Sequence, residues 1–137
     1  MTTTTISVPE TVADSLARDK VIWLTTVNSS EAPVPTPVWF LWADGKVLIF
    51  SQPNAAKIGN LTANPHAALN LNSDAGGGHV VVFKGVADLE RTVDEATWQA
   101  YVDKYRDDIA GLNYTPERFR TDYSHPVWIE PTSLRSW

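Results

Sequence analysis

Proline occupies every second position from residue 33 to residue 37, within the segment APVPTPVWFLW of residues 32–42. Alternate residues of a β-strand direct their backbone groups to the same edge, and proline has no N–H to donate. A strand here therefore has one edge that offers only carbonyl acceptors, so no further strand can pair with it in the ordinary way. Two interpretations stay open. The prolines protect a solvent-facing edge strand, or the edge faces a flat ligand that brings its own N–H groups.

The segment after this strand predicts a helix start that suits an anion. Asp44-Gly45 is a hairpin signal, and residues 47–51 form a short apolar return strand. Asn54 is expected to cap a helix that begins near Ala55. The free N–H groups and the positive dipole end of a helix suit a phosphate, and Lys57 lies in the first turn, where a cation is otherwise unfavourable. The alternative for Lys57 is a solvated surface lysine.

The rest of the chain predicts an antiparallel sheet with few helices. Strands are expected at residues 20–27, 33–42, 47–51, 66–72, 79–90 and 126–137, with a bulge at Gly85. A short helix follows Pro9, a second ends near residue 63, and a third follows a capping box of Thr92 and Glu95. Residues 107–124 are expected to be irregular, apart from a short helix at Pro116. Hairpin-connected strands of this kind favour a barrel with helices packed at its ends.

Composition bounds the function. The 137 residues predict a single domain over residues 1–137, and a net charge of −5 argues against nucleic acid as a partner. There is no cysteine, which excludes disulfides, iron–sulfur clusters and thiol catalysis. Residues 1–5 lack the basic and apolar regions of a signal peptide, and no apolar run is long enough for a membrane span. A cytoplasmic protein is expected.

Residues 24–71 carry a family resemblance. Their sequence is LTTVNSSEAPVPTPVWFLWADGKVLIFSQPNAAKIGNLTANPHAALNL, and it resembles the core of the split-barrel flavin and deazaflavin proteins related to pyridoxamine 5′-phosphate oxidase. The shared features are the P-x-P-V-W-F strand, the hairpin and the K-x-x-N-L helix start. The resemblance implies a mainly β fold, a six-stranded antiparallel split β-barrel with short helices of the FMN-binding type. Within the family, the sequence looks most like the branch that uses coenzyme F420, a deazaflavin; FMN is the alternative cofactor.

The resemblance also implies a binding site. Its cofactor-binding residues would be Pro35, Thr36, Pro37, Val38 and Trp39 along the ring, Ser51, Gln52, Lys57 and Asn60 around the phosphate, and His79 and Trp128 from a second subunit. A homodimer with its sites at the interface is therefore expected. The high number of tryptophans, six, agrees with a large interface.

No cluster of nucleophilic or metal-binding residues competes with this hypothesis. His66, His79 and His125 are scattered without ligand spacing, so no metal site is expected, and no catalytic residue can be named. In a cofactor-dependent oxidoreductase the cofactor supplies the chemistry, and the protein need only hold it against a substrate. The expected function is an F420-dependent oxidoreductase that transfers a hydride to or from a conjugated small organic substrate. The alternatives are an FMN-binding oxidoreductase of the same fold and a non-catalytic flavin- or haem-binding protein.

Overall fold

A computed structural model describes residues 6–137, and these fold as a curled antiparallel sheet with helices against it. The strands are β1 (Ile22–Val27), β2 (Pro33–Val38), β3 (Leu41–Ala43), β4 (Lys46–Ser51), β5 (His66–Leu71), β6 (Val81–Asp88) and β7 (His125–Ser136). The helices are α1 (Glu10–Arg18), α2 (Ala56–Ala63), α3 (Glu95–Gly111) and α4 (Pro116–Asp122). Residues 1–5, on which the expectation of a missing signal peptide rests, lie outside the described residues. Within residues 6–137, no helix has the length and apolarity to span a bilayer.

The two edges of the sheet are consecutive in the chain. The strand order is β2-β1-β5-β6-β7-β4-β3, and the chain passes from one edge to the other between Val38 and Leu41. Three peptide steps span at most about 11 Å, so the sheet must curl until its edges lie close together. This is the predicted split barrel. The strand count is seven rather than six, because Trp39 and Phe40 interrupt the expected strand at residues 33–42.

Two sequence-based predictions within the barrel are confirmed: the hairpin turn at Asp44-Gly45 and the bulge at Gly85. Asp44 and Gly45 both have positive φ, at 56° and 67°, as a two-residue turn of type I′ requires. The register between β6 and β7 shifts between Lys84 and Gly85. A Cβ at Gly85 would lie 2.7 Å from the carbonyl oxygen of Glu130, so only glycine lets the bulged strands approach this closely.

Buried side chains form two clusters. The first fills the barrel with aliphatic residues from α1, α2 and the strands, together with Phe40 and Phe83. The second lies outside it, where α3 and α4 pack on the sheet. Its members are Trp98, Tyr101, Val102, Tyr105, Ile109 and Phe119, with Trp39, Leu41, Phe50, Val93, Tyr114 and Tyr123 packed against them. The second cluster therefore attaches the long helix to the junction of β2 and β3.

The helices correct three sequence-based predictions. The cap of α2 is Ala55, not Asn54, and no side chain bonds to the first turn. The cap of α3 is Asp94, whose carboxylate accepts from the N–H of Thr97 at 2.7 Å. Because Asp94 occupies the cap, the expected capping box of Thr92 and Glu95 is wrong. Residues 107–111, which were expected to be irregular, belong to α3, which continues to Gly111 with a kink at Tyr105. The short helix expected at Pro116 is confirmed as α4.

Candidate functional site

A cleft of about 270 Å³ opens between the end of β2 and the packed pair α3–α4. Its lining residues are Thr36, Pro37, Val38, Trp39, Phe50, Gln52, Ala55, Lys57, Tyr101, Leu112, Phe119 and Tyr123. Aromatic and aliphatic side chains dominate this lining, and Lys57 is its one charged member among the described residues. Such a lining is compatible with a ligand that has a flat apolar body and one anionic group.

The proline-bearing edge of β2 borders this cleft. Within the described chain β2 pairs with β1 alone, and the prolines at positions 33, 35 and 37 stand opposite Val27, Thr25 and Trp23. The N–H groups available for that pairing belong to the residues between the prolines, because proline has none. The outer edge is left with carbonyl oxygens, and its last part, Thr36 to Trp39, lines the cleft.

Trp39 is held in the cleft wall from behind. Its ring stacks on Tyr105 at a centroid distance of 4.8 Å and on Phe119 at 5.8 Å. The neighbouring Phe40 is fully buried, and its backbone is satisfied by α3 instead of a strand partner. The Phe40 N–H donates to the Tyr105 hydroxyl at 2.8 Å, and its carbonyl oxygen accepts from Lys104 Nζ at 2.9 Å. Buried backbone groups need such partners, so α3 fixes the break between β2 and β3.

Lys57 supplies the positive charge of the cleft. It lies in the first turn of α2, whose N-terminus has no side-chain cap. Partial burial lowers the pKa of the Lys57 ammonium group, and no acidic side chain among residues 6–137 offsets that effect. A half-buried cation beside free helix N–H groups is stabilised by a bound anion. Lys57 and α2 together could hold a phosphate.

The helical wall of the cleft is the part that sequence reasoning missed. Tyr101 projects from α3, Phe119 from α4, Leu112 and Tyr123 follow these helices, and Phe50 comes from β4. The spacing of Trp98, Tyr101, Val102 and Tyr105 in the sequence predicts one apolar helix face, and these residues do form the buried face of α3. That periodicity indicates packing, but it does not indicate which strand the helix packs against.

Six of the residues expected at the cofactor line the cleft, and five do not. Thr36, Pro37, Val38, Trp39, Gln52 and Lys57 are in the first group, and Pro35, Ser51, Asn60, His79 and Trp128 are in the second. Ser51 is buried and donates to the carbonyl of Gln52, while Asn60 donates to Thr26 Oγ1 at 3.0 Å. These two side chains therefore belong to the barrel wall in this structure.

The two residues expected to reach a second subunit occupy different environments. His79 lies in an exposed loop with a φ of 53°, and its Nε2 is 2.7 Å from Ser15 Oγ. Trp128 is only 2% exposed, its indole N–H donates to the carbonyl of Thr92 at 3.3 Å, and Arg91 covers its ring. The Trp128 ring is thus enclosed by its own chain. Among residues 6–137 there is also no group of three side chains arranged to hold a metal ion.

Comparisons with known proteins agree on the fold. One solved structure with this fold is a conserved hypothetical protein from Mycobacterium tuberculosis, 22% identical, which aligns over 100% of this chain and 89% of its own with a TM-score of 0.71. An F420 reductase is 20% identical over 93% of this chain and 98% of its own, with a TM-score of 0.70. The haem storage protein HutZ from Vibrio cholerae is 17% identical over 93% of both chains, with a TM-score of 0.69.

At these identities the structural neighbours establish the fold alone. No curated protein matches the sequence. The profile of the family described as pyridoxamine 5′-phosphate oxidase matches residues 8–137, which is nearly the whole chain. Together with the split barrel and the proline-edged cleft, this match assigns the family: the chain belongs to the pyridoxamine 5′-phosphate oxidase family.

Proposed function

We propose that this protein is an oxidoreductase that binds a deazaflavin of the coenzyme F420 type and transfers a hydride between it and a conjugated small organic substrate. The observation that carries the proposal is the cleft itself. It combines an acceptor-only strand edge, an aromatic wall at Trp39 and one half-buried cation, Lys57. A flavin or deazaflavin has the complementary parts: ring N–H groups, a flat apolar body and a phosphate.

The residues present fit such a cofactor. Backbone carbonyls of β2 would accept from the ring, Trp39 would limit its position, and Lys57 with the start of α2 would neutralise the phosphate. The cleft volume of about 270 Å³ is slightly below the range usual for whole ligands. The ring would therefore be the part that the cleft residues hold, and Lys57 with the start of α2 would hold the phosphate of the tail.

The single lysine of the cleft matches the charge of the deazaflavin phosphate more closely than that of the FMN phosphate. The FMN phosphate is a monoester that carries about −1.5 to −2 charges at neutral pH. The phosphate of coenzyme F420 is a diester with a single negative charge. Of the described residues that line the cleft, Lys57 alone is cationic, so one charge faces one charge. An FMN-binding oxidoreductase of the same fold remains the alternative.

The chain contributes binding, orientation and water exclusion to this reaction. When bound, the deazaflavin supplies or accepts the hydride. Tyr101, Phe119 and Leu112 enclose the remaining space with largely apolar surface, which suits a planar substrate stacked on the ring. Near-contact placement of two reactants accounts for much of the rate enhancement in such enzymes.

Titration tests the proposal. Purified protein is titrated with coenzyme F420, FMN and haem, and binding is followed by ligand absorbance and by quenching of tryptophan fluorescence. Tight binding of coenzyme F420 with weaker binding of FMN supports the proposal. Tight FMN binding with no response to the deazaflavin supports the FMN alternative, and binding of haem alone supports a storage protein. Binding of none of the three overturns the proposal.

A further inference from the structure

Tyr101 is the most enclosed polar side chain that lines the cleft. It is 1% exposed, and aromatic rings surround it: Phe50 at a centroid distance of 4.7 Å, Tyr105 at 4.9 Å, Phe119 at 5.8 Å and Trp98 at 5.9 Å. Tyr101 nevertheless lines the cleft.

The Tyr101 hydroxyl has no hydrogen-bond partner among residues 6–137. Its pKa is shifted only by desolvation and by the neighbouring tyrosines. The adjacent Tyr105 differs, because its hydroxyl accepts from the Phe40 N–H and lies within hydrogen-bond distance of the Lys20 and Phe40 carbonyls. A buried tyrosine hydroxyl normally finds a partner. No polar side-chain atom of the described residues is both sealed and unpartnered, so the Tyr101 hydroxyl opens into the cleft.

This hydroxyl is a donor and not an acid that releases its proton. Burial raises the pKa of Tyr101 well above its ordinary value, so the proton stays on the oxygen throughout the physiological range. A neutral, fixed O–H in a dry aromatic setting forms its strongest hydrogen bond with an oxygen that gains negative charge.

We propose that the Tyr101 hydroxyl donates a hydrogen bond to the carbonyl oxygen of a conjugated substrate bound in the cleft. The assignment rests on the proposed function for its chemistry. The hydride adds with its electron pair to the carbon of the conjugated C=C bond that is farther from the carbonyl. The electron pair of that C=C bond shifts towards the carbonyl, and negative charge develops on the oxygen that Tyr101 holds. Water then delivers a proton to the adjacent carbon, which completes the two-electron reduction as the deazaflavin is oxidised. The substrate class is therefore an α,β-unsaturated carbonyl compound.

A matched pair of probes tests the hydrogen bond without any cofactor. The probes are 2-acetylnaphthalene and 2-ethylnaphthalene, which share a flat body and differ in the carbonyl oxygen. Their affinities for wild type and Tyr101→Phe are measured by quenching of tryptophan fluorescence. The ketone preference is the affinity for 2-acetylnaphthalene divided by the affinity for 2-ethylnaphthalene. We expect this ratio to be about two- to tenfold larger in wild type than in Tyr101→Phe, as for the loss of one hydrogen bond. Tyr114→Phe, which removes a hydroxyl outside the cleft, should keep the wild-type preference.

Melting temperatures and cofactor titrations complete the experiment. Tyr101→Phe should melt no lower than wild type, since its hydroxyl bonds to nothing in the protein, whereas Tyr105→Phe should melt lower. An equal preference for the ketone in wild type and Tyr101→Phe, or no binding of either probe, overturns the proposal. Weaker cofactor binding in Tyr101→Phe with an unchanged ketone preference also overturns it, because the donor then serves the cofactor. If wild type binds no cofactor yet shows the ketone preference, the hydrogen bond stands and the proposed function fails.

Discussion

Lys104 shows how a single half-buried cation supports the cleft without entering it. Its Nζ donates to the carbonyl of Phe40 at 2.9 Å and lies 3.9 Å from the centre of the Phe40 ring. Burial, with the nearby charge of Lys20, lowers the pKa of Lys104 to about 8. Partial burial of this ammonium group is offset because it donates a hydrogen bond to a backbone carbonyl in the break between β2 and β3.

The lowered pKa of Lys104 predicts how stability depends on pH. Between about pH 8 and about pH 10, the unfolded chain binds more protons at this residue than the folded chain. The contribution of Lys104 to the free energy of unfolding therefore becomes more favourable as pH rises through that interval. Urea unfolding of wild type and Lys104→Met at several pH values across the interval measures this contribution. Wild type should gain stability relative to the variant, and a constant or shrinking difference would contradict the burial of Lys104.

Single residues also show where sequence reasoning succeeds at the site. Lys57 and Pro37 could be predicted because their signals are local: a cation where the helix dipole disfavours it, and a missing N–H. Asn60 was expected at the phosphate from the family resemblance, yet its side chain bonds to Thr26 on β1. That contact joins residues far apart in the chain. Tyr101 was missed as a cleft residue for the same reason.

Among the elements, β6 and β7 depend on the glycine at their bulge. A methyl group at Gly85 would meet the Glu130 carbonyl at 2.7 Å and the Ile129 side chain at 2.8 Å. Gly85→Ala should therefore destabilise the protein by about 1–3 kcal/mol, as overpacking does. Gly59→Ala in α2 is the matched control, because nothing lies within 4 Å of its added methyl, and it should stabilise by about 0.5–1 kcal/mol. Denaturant unfolding of both variants measures these changes in the free energy of unfolding. A Gly85→Ala variant as stable as wild type would refute the close approach of the two strands.

The boundaries of the elements could be predicted only where one local signal acts alone. The turn at Asp44-Gly45 has no competitor, and it formed as predicted. At the start of α3, two cap signals lie two residues apart, and Asp94 prevails over Thr92. The break between β2 and β3 has no signal in its own residues. It depends on Tyr105, which is distant in sequence and satisfies the Phe40 backbone.

For the whole molecule, we propose a homodimer. The sheet of the described residues ends in two unpaired edges, β2 and β3, and the cleft beside β2 is open. Leu112, at the cleft, and Trp137, at the chain end, are 50% and 66% exposed. A barrel of this size buries only about two-thirds of its surface, so further burial is favourable. Sedimentation at micromolar concentration should give twice the mass of the chain, and a monomer would count against a cofactor site shared between subunits.

We propose that the cleft binds a flavin-type ring with its phosphate at Lys57. A thermodynamic cycle between the lysine and the phosphate tests it most directly. Affinities are measured for FMN and riboflavin, and for coenzyme F420 and its phosphate-free riboside, with wild type and Lys57→Ala. Lys84→Ala is the control, because Lys84 is an exposed lysine on β6 and lies outside the cleft.

Lys57→Ala should weaken binding of the phosphate-bearing ligand by about 1.5–3 kcal/mol, as for the loss of a hydrogen bond to a charged group. It should leave the phosphate-free ligand nearly unchanged, and Lys84→Ala should alter neither. The loss should shrink at high salt, since the cleft is open to solvent. Equal affinities of wild type and Lys57→Ala for the phosphate-bearing ligand, in a folded variant, would contradict the account and make Lys57 a surface lysine.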